Sequence, residues 1–356
     1  MKNRLYFGIA CTVTIVLTLS LVRLYPGIVR NRIISPLGSL TDPLTQQMKL
    51  KYYAWAPWWN PEDVTASMEK AAGRLSAVHP VWYKVNGDGK IEEIPARNGG
   101  EIRQMASASG IPVMPMISNE FDPERVSRIL SSADLKSELA VRMVEIARNN
   151  GFAGWDIDWE QIAEKDRDAF TEFISYLKPV FNGTGLSLSV SVHARTGTAD
   201  EWKLAKGHDY RGLSIYADQV RVMAYDFHNA TSVPGPVTPK NRLEQAIRYA
   251  KANIPRDKLV LGLPFYGYDW DSRRGEPLSR KQLLERIEKN TGTWEYDAEA
   301  LAVRGTYTVK GVKHIIWFEN TASVTEKIRI AEKEGIFMFA FWCLGGEDPL
   351  IWESLE

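Results

Sequence analysis

Gly154-Trp155-Asp156-Ile157-Asp158-Trp159-Glu160 sets three acids against three large apolar side chains in strict alternation. Successive side chains of a strand point to opposite faces. Asp156, Asp158 and Glu160 therefore share one face, and Trp155, Ile157 and Trp159 the other. Neither face suits an open, half-solvated sheet. An apolar face of that size must pack against helices, and the acids are then left facing an interior.

Working outward, short apolar runs recur, each followed by a longer amphipathic stretch. The candidate strands are Leu50–Ala56, Ala77–Val85, Pro112–Ser118, Phe152–Glu160, Leu186–His193, Gln219–Asp226, Leu259–Tyr266 and Ile336–Cys343. Helical spacing falls between them at Leu135–Asn149, Asp166–Val180 and Arg242–Asn253. Eight strands alternating with helices predict an α/β fold, a (β/α)8 TIM barrel. A doubly wound sheet would place a glycine-rich phosphate loop after its first strand, and none is there. The long gap between strands seven and eight, Gly267–Gly335, holds a helical pattern (Leu278–Lys289) and two strand-like runs (Thr306–Val309, Lys313–Phe318). It reads as a small α+β insertion, and Val324–Lys333 as the helix before strand eight.

The 356 residues carry 44 basic and 44 acidic side chains. A balanced charge gives no bulk electrostatic case for nucleic acid. Cys11 and Cys343 are too far apart in sequence and context to suggest a disulfide framework or a thiolate zinc site. Leu5–Val22 is free of charge and reads as a transmembrane helix, about the minimum length for a hydrocarbon core of ~30 Å. No A-x-A-like cleavage site follows it, so an uncleaved anchor is preferred over a cleaved signal. The expected organisation is an anchor or signal segment at 1–25, a linker with three prolines at 26–48, and a catalytic barrel at 49–356. The barrel would then be extracytoplasmic, or secreted if the segment is cleaved. Residues 49–356 carry four more acidic than basic side chains, a weak argument against a polyanionic substrate.

Chemistry in such barrels sits at the C-terminal ends of the strands. There the sequence places aromatics: Trp55, Trp58 and Trp59; Trp82 and Tyr83; Trp159; Tyr225 and Phe227; Phe265, Tyr266 and Tyr268; Trp342. Flat rings at a barrel mouth suit the apolar faces of sugars, with core packing as the alternative for about half of them. Three clustered carboxylates repel, so at least one is expected to hold its proton near neutral pH, as a general acid requires. Glu160, nearest the mouth, is the natural donor. A divalent-metal site ranks lower, because no histidines accompany the acids and Asp226 is the only further acid at a strand end. No metal or cofactor is expected. His193, at the end of strand five, is placed to line the cleft.

These motifs resemble those of glycoside hydrolase family 18, the chitinase-like enzymes. Ala153 to Glu160 is similar to that family's D-G-x-D-x-D-x-E signature. Met223-Ala224-Tyr225-Asp226 resembles its M-x-Y-D, Gly262-Leu263-Pro264-Phe265-Tyr266-Gly267 its strand-seven segment, and Trp342 its strand-eight tryptophan. Tyr53-Ala54-Trp55-Ala56-Pro57-Trp58, Pro80-Val81-Trp82-Tyr83 and the run Phe341–Pro349 look like the bacterial spore-germination and cortex-lytic glucosaminidase branch. The resemblance implies hydrolysis of β-1,4 bonds beside N-acetylglucosamine, in peptidoglycan or chitin-type oligomers, by substrate-assisted retaining catalysis. It implies Glu160 as proton donor, Asp158 orienting the acetamido group, Asp156 sharing hydrogen bonds or a proton with Asp158, and Tyr225 donating to the acetamido oxygen. It implies Asp226, Trp342, Met223, Trp55, Trp82 and Tyr266 as substrate contacts. A monomer acting on an N-acetylglucosamine-containing polysaccharide is expected. One departure stands out: Ala153 replaces the first acid of the signature, which in the family supports the buried acids from below. That departure motivates the competing reading, a non-catalytic glycan-binding barrel.

Overall fold

The computed structural model describes residues 49–199, 201–271 and 273–355. The proposed anchor at 1–25 and linker at 26–48 lie outside these residues. Among the described residues no helix is long and apolar enough to cross a membrane.

Eight parallel strands close into a barrel: β1 Lys51–Ala56, β2 Leu75–Val85, β3 Met116–Ser118, β4 Gly154–Asp158, β5 Ser187–His193, β6 Gln219–Met223, β7 Leu259–Pro264 and β8 Met338–Trp342. Neighbours in sequence pair in space, and β1 closes the ring by pairing with both β2 and β8. Helices after each strand cover the outer wall, among them Ala133–Asn150, Arg167–Asn182 and Lys240–Asn253, close to the expected spans. Pro61–Ala71, Gly99–Ala108, Pro123–Ser131 and Tyr210–Tyr216 add helices that the sequence reading left as connections.

The outward face of β4 anchors the helical layer. Trp155 is fully buried and donates from Nε1 to the Met143 carbonyl at 3.0 Å. Just past the strand, Trp159 stacks on Phe173 at 5.2 Å, with ring planes 12° apart. Burial of such rings supplies much of the non-directional stabilisation of the layer. The barrel interior is filled by Tyr53, Trp55, Ala77, Val81, Met114, Met116, Val260, Met338 and Ala340, with Ala153 packed against them.

The insertion is larger than the sequence suggests. It is a five-stranded antiparallel sheet in the order 275–279, 266–270, 312–318, 302–309, 293–297, backed by helix Arg280–Lys289. Strand seven, expected over Leu259–Tyr266, ends at Pro264, and Tyr266 begins the first strand of the second sheet. Ser279 starts the helix with a capping box to Gln282.

Gly154 shows how tightly the ring closes. A Cβ there would lie 2.1 Å from the Ser187 carbonyl oxygen, backbone that cannot step aside. Gly154→Ala is expected to cost about 1–3 kcal/mol. Chemical denaturation reads this directly, and an unchanged midpoint would show that β4 and β5 can separate freely.

Candidate active site

Asp156 lies deepest of the three acids and is fully buried. Trp55 Nε1 donates to its Oδ2 at 2.8 Å, Ser189 Oγ to Oδ1 at 2.7 Å, and Ser191 Oγ to Oδ2 at 3.2 Å. Arg221, equally buried, donates from Nη1 to Oδ1 at 3.1 Å. The other arm of the guanidinium, Nη2, reaches His79 Nε2 and Gln219 Oε1, each at 2.8 Å. Burial opposes ionisation of Asp156, but Arg221 and these donors outweigh it and hold its carboxyl below the usual range. Hydrogen bonding of Asp156 is thus intact despite Ala153.

Asp158 stands one step nearer the mouth without such support. Its Oδ1 is buried and has no hydrogen-bond partner among the described residues. Burial first, and the charge of Asp156 second, push its carboxyl up to about 8. Glu160 follows at the rim. Its backbone is clamped by Asn119, which accepts from the Glu160 N–H at 2.9 Å and donates to its carbonyl at 2.8 Å. Burial, then Asp158 and Asp226, raise the Glu160 carboxyl well above the usual range. Its Oε2 lies 3.3 Å from His193 Nε2. His193 also accepts from the Gln161 N–H at 3.3 Å, and burial keeps the ring neutral. Deep burial likewise pushes the Tyr225 phenol upward, and its hydroxyl has no partner among the described residues. Asp158 Oδ1 and Tyr225 Oη are therefore a buried acceptor and a buried donor, both free to bind an amide.

Asp226 follows Tyr225 with a left-handed backbone (φ 60°), a conformation uncommon outside glycine. Its carboxylate accepts from Tyr266 at 2.5 Å and from Tyr268 at 3.0 Å, both on the first strand of the insertion. Two pockets meet at this residue. One, of about 410 Å³, is lined by Trp59, Tyr266, Tyr268, Leu278 and Trp342. The other, of about 460 Å³, is lined by Phe121, Glu160, His193, Trp202, Met223 and Tyr225.

Of the expected contacts, Asp226, Trp342, Met223 and Tyr266 line this double cleft, together with Glu160 and Tyr225. Trp55 lies beneath it, bonded to Asp156 and 5.7 Å from the Trp342 ring. Trp82 does not reach the cleft. It is buried in the outer layer beside Phe152, beneath the Arg103 guanidinium. Alternation along β2 accounts for this: Ala77, His79 and Val81 face the barrel interior, so Val78 and Trp82 fall on the outer face.

Sequence reasoning passed over Arg221, His79, Ser189 and Ser191, spread over three strands, and Asn119 and Trp202. Alternation could have found Arg221. It is a charged residue flanked by Val220 and Val222, which face the helices, so it must point inward.

Comparison with known proteins places this geometry. Residues 52–347 match the model of the glycosyl hydrolases family 18. The chain is 29% identical over 235 residues to the putative sporulation-specific glycosylase YdhD of Bacillus subtilis, covering 64% of this chain and 56% of that one. It is 25% identical over 303 residues to the cortical fragment-lytic enzyme of the same organism, covering 83% and 70%. The chain thus spans little more than half the length of the first of these relatives. The chitinase of Chromobacterium violaceum superposes with a TM-score of 0.77 at 26% identity, over 86% of this chain and 98% of that one. The spore cortex-lytic enzyme SleL of Bacillus cereus gives 0.78 at 23%, over 86% and 73%.

A carboxyl whose affinity for its proton rises on folding is stabilising only while protonated in both states. Stability is therefore lost as pH climbs from the unfolded value, about 3.9, towards about 8 in the fold. Asp158→Asn removes this penalty. Its melting temperature should exceed the parent's by roughly 5 °C at the alkaline end of that window and converge with it near the acid end. A gap independent of pH would show that Asp158 is ionised throughout.

Proposed function

The chain belongs to the glycosyl hydrolases family 18, and from that premise we propose that it hydrolyses β-1,4 bonds beside N-acetylglucosamine with retention of configuration. The observation that carries this reading is that Glu160 and Tyr225 line one of the two pockets that meet at Asp226, with Asp158 buried close to both. Glu160 is a carboxyl held protonated at the rim; Asp158 and Tyr225 are a buried acceptor and a buried donor.

Glu160 gives its proton to the glycosidic oxygen as that bond breaks. The carbonyl oxygen of the substrate's own 2-acetamido group attacks the anomeric carbon, closing an oxazolinium ring. This is the substrate-assisted variant, in which no second carboxylate bonds to the sugar. Asp158 accepts from the acetamido N–H through its unprotonated oxygen, and the negative charge of Asp156 behind it offsets the positive charge on the ring. Tyr225 donates to the acetamido oxygen. Trp342 floors the reacting sugar, and Asp226 meets it from the side. Water then attacks the anomeric carbon, and the Glu160 carboxylate takes its proton, restoring the acid.

Peptidoglycan is the substrate we favour, with chitin-type oligomers second. Two similar proteins, the cortical fragment-lytic enzyme of Bacillus subtilis and the spore cortex-lytic enzyme SleL of Bacillus cereus, are named for action on the cortex. Glycan binding without turnover is not favoured, since the donor Glu160 is present and Asp156 at the base of the site is fully hydrogen-bonded. The oxygens of Asp156 are already filled by donors, so the acids do not offer a shared cation site; among the described residues no His, Cys, Asp or Glu group is arranged for a metal. On composition alone, we read Leu5–Val22 as the tether that would hold a monomeric barrel at the membrane.

Mass spectrometry of products from purified peptidoglycan and from chitin oligomers tests the reading. N-acetylglucosamine at the new reducing end supports it, whereas muramic acid there would make the protein a muramidase. Glu160→Gln should lower turnover by about 10³-fold, and Tyr225→Phe by about 10²-fold, mostly in kcat. Unchanged turnover in Glu160→Gln would sink the assignment.

A further inference from the structure

Asp156 and Arg221 form an ion pair with no exposed surface in the middle of the barrel. Burying a charge this deeply costs several kcal/mol unless it is paired and hydrogen-bonded. The surroundings answer that requirement on both sides. Each oxygen of Asp156 faces a donor whose role cannot reverse: Arg221 at Oδ1 and the Trp55 indole at Oδ2. A proton placed on Asp156 would have to displace one of them. Arg221 is fixed just as firmly. Besides Asp156 it holds Gln219 Oε1 and His79 Nε2, and its guanidinium lies 5.1 Å from the centre of the Tyr53 ring. His79 Nδ1 lies 2.9 Å from the Met114 carbonyl, which can only accept. The His79 proton is therefore on Nδ1, and Nε2 is a lone pair open to the arginine. A charged His79 would set two cations against each other.

The same region accounts for Ala153. In the family the resemblance invokes, an acid at this position supports the buried acids from below. Here Ala153 packs among Met114, Met116 and other apolar interior side chains. The partner of Asp156 comes instead from across the barrel, on β6, and it is a cation. Among the described residues no hydrogen bond joins Asp156 to Asp158, and Asp158 Oδ1 is unpartnered.

We infer that Arg221 is the positioning residue that keeps Asp156 a fixed carboxylate, so that the exchangeable protons of the site are confined to Asp158 and Glu160. This rests on the glycosidase reading above and changes one part of it: Asp156 does not share a proton with Asp158. Asp156 is an immobile negative charge that adds to burial in keeping Asp158 protonated at rest and supports the cationic intermediate once Asp158 turns to the acetamido group. The groups facing Asp156 are Trp55 from β1, His79 from β2, Asp158 from β4, Ser189 and Ser191 from β5, and Arg221 with Gln219 from β6. Glu160, Tyr225 and Asp226 lie beyond Asp158.

The test is the pH dependence of kcat/KM in the full chain, with Arg221→Met and Arg221→Lys. Loss of the cation raises the proton affinity of Asp156, and the charge then appears only at higher pH. The acid limb of Arg221→Met should move up by about one pH unit or more, while the alkaline limb governed by Glu160 moves little. Arg221→Lys restores the charge and should return the acid limb to the parent's position even with a lower kcat. Equal losses at every pH in both variants, with unmoved limbs, would make Arg221 merely structural and overturn the inference. Because Arg221→Met leaves a buried carboxylate unpaired and could fail to fold, infrared spectroscopy supplies a second reading. At mildly acidic pH, where burial alone keeps Asp158 protonated, Asp156→Asn should remove no protonated-carboxyl band from the parent spectrum, whereas Asp158→Asn should remove one. A band lost with Asp156 refutes the proposal. The infrared reading needs no turnover, so a parent inactive on every glycan would count against the glycosidase reading and leave this one standing.

Discussion

Three acids on one face of one strand, enclosed by a ring of seven others, cannot all be ionised. The barrel gives a counter-cation to the innermost alone. From Asp156 at the bottom to Glu160 at the rim, the support thins: four donors for the first, none for Asp158 Oδ1, and a neutral imidazole beside the third. The result is a gradient of protonation along the strand. It is built from burial and from the placement of one arginine, not from any chemical difference among the carboxyls. Much of the rest follows from that requirement. Serines rather than valines face inward on β5, β6 carries a guanidinium between two valines, and β2 carries a histidine that burial and the neighbouring arginine hold neutral.

The barrel was legible because its signal is repetitive. Strand and helix alternate, and an error at one boundary does not disturb the next. The acid face of β4 was legible because alternation extends through seven residues. Trp82 was misplaced because it was taken from its place near a strand end, whereas alternation from the inward-facing Ala77, His79 and Val81 sends it to the opposite face. Arg221, His79 and the two serines act as a unit only when four strands are brought together, and no local pattern in any one strand announces that meeting. In the insertion, Gly275–Ser279 and Thr293–Asp297 were overlooked as strands. The first contains glycine and proline, the second is almost wholly exposed, and neither shows the apolar alternation that marks a buried strand.

Asp226 ties the two sheets into one site. Its strained backbone turns the carboxylate towards the cleft, and two phenols from the inserted sheet hold it there. The insertion is thus more than decoration on the rim. It supplies one wall of one pocket and fixes an acid whose charge is felt at Glu160. Trp342, at the end of β8, rests between Trp55 below and Trp59 to the side, 5.7 and 6.2 Å away. The Trp342 ring is therefore braced by the first strand and its following loop.

Only Phe265 separates β7 from the first strand of the insertion, and its ring stacks on Phe341 of β8 at 4.4 Å with planes 7° apart. That short splice leaves no slack for a hinge. A wall joined in this way works as a jig and not as a jaw: under the proposed function, it selects a polymer by whether a ready-cut channel accepts it sideways. Altering which glycans fit would therefore mean recarving the faces of Tyr266, Tyr268 and Leu278, since loosening the connection would blur the channel without widening its repertoire.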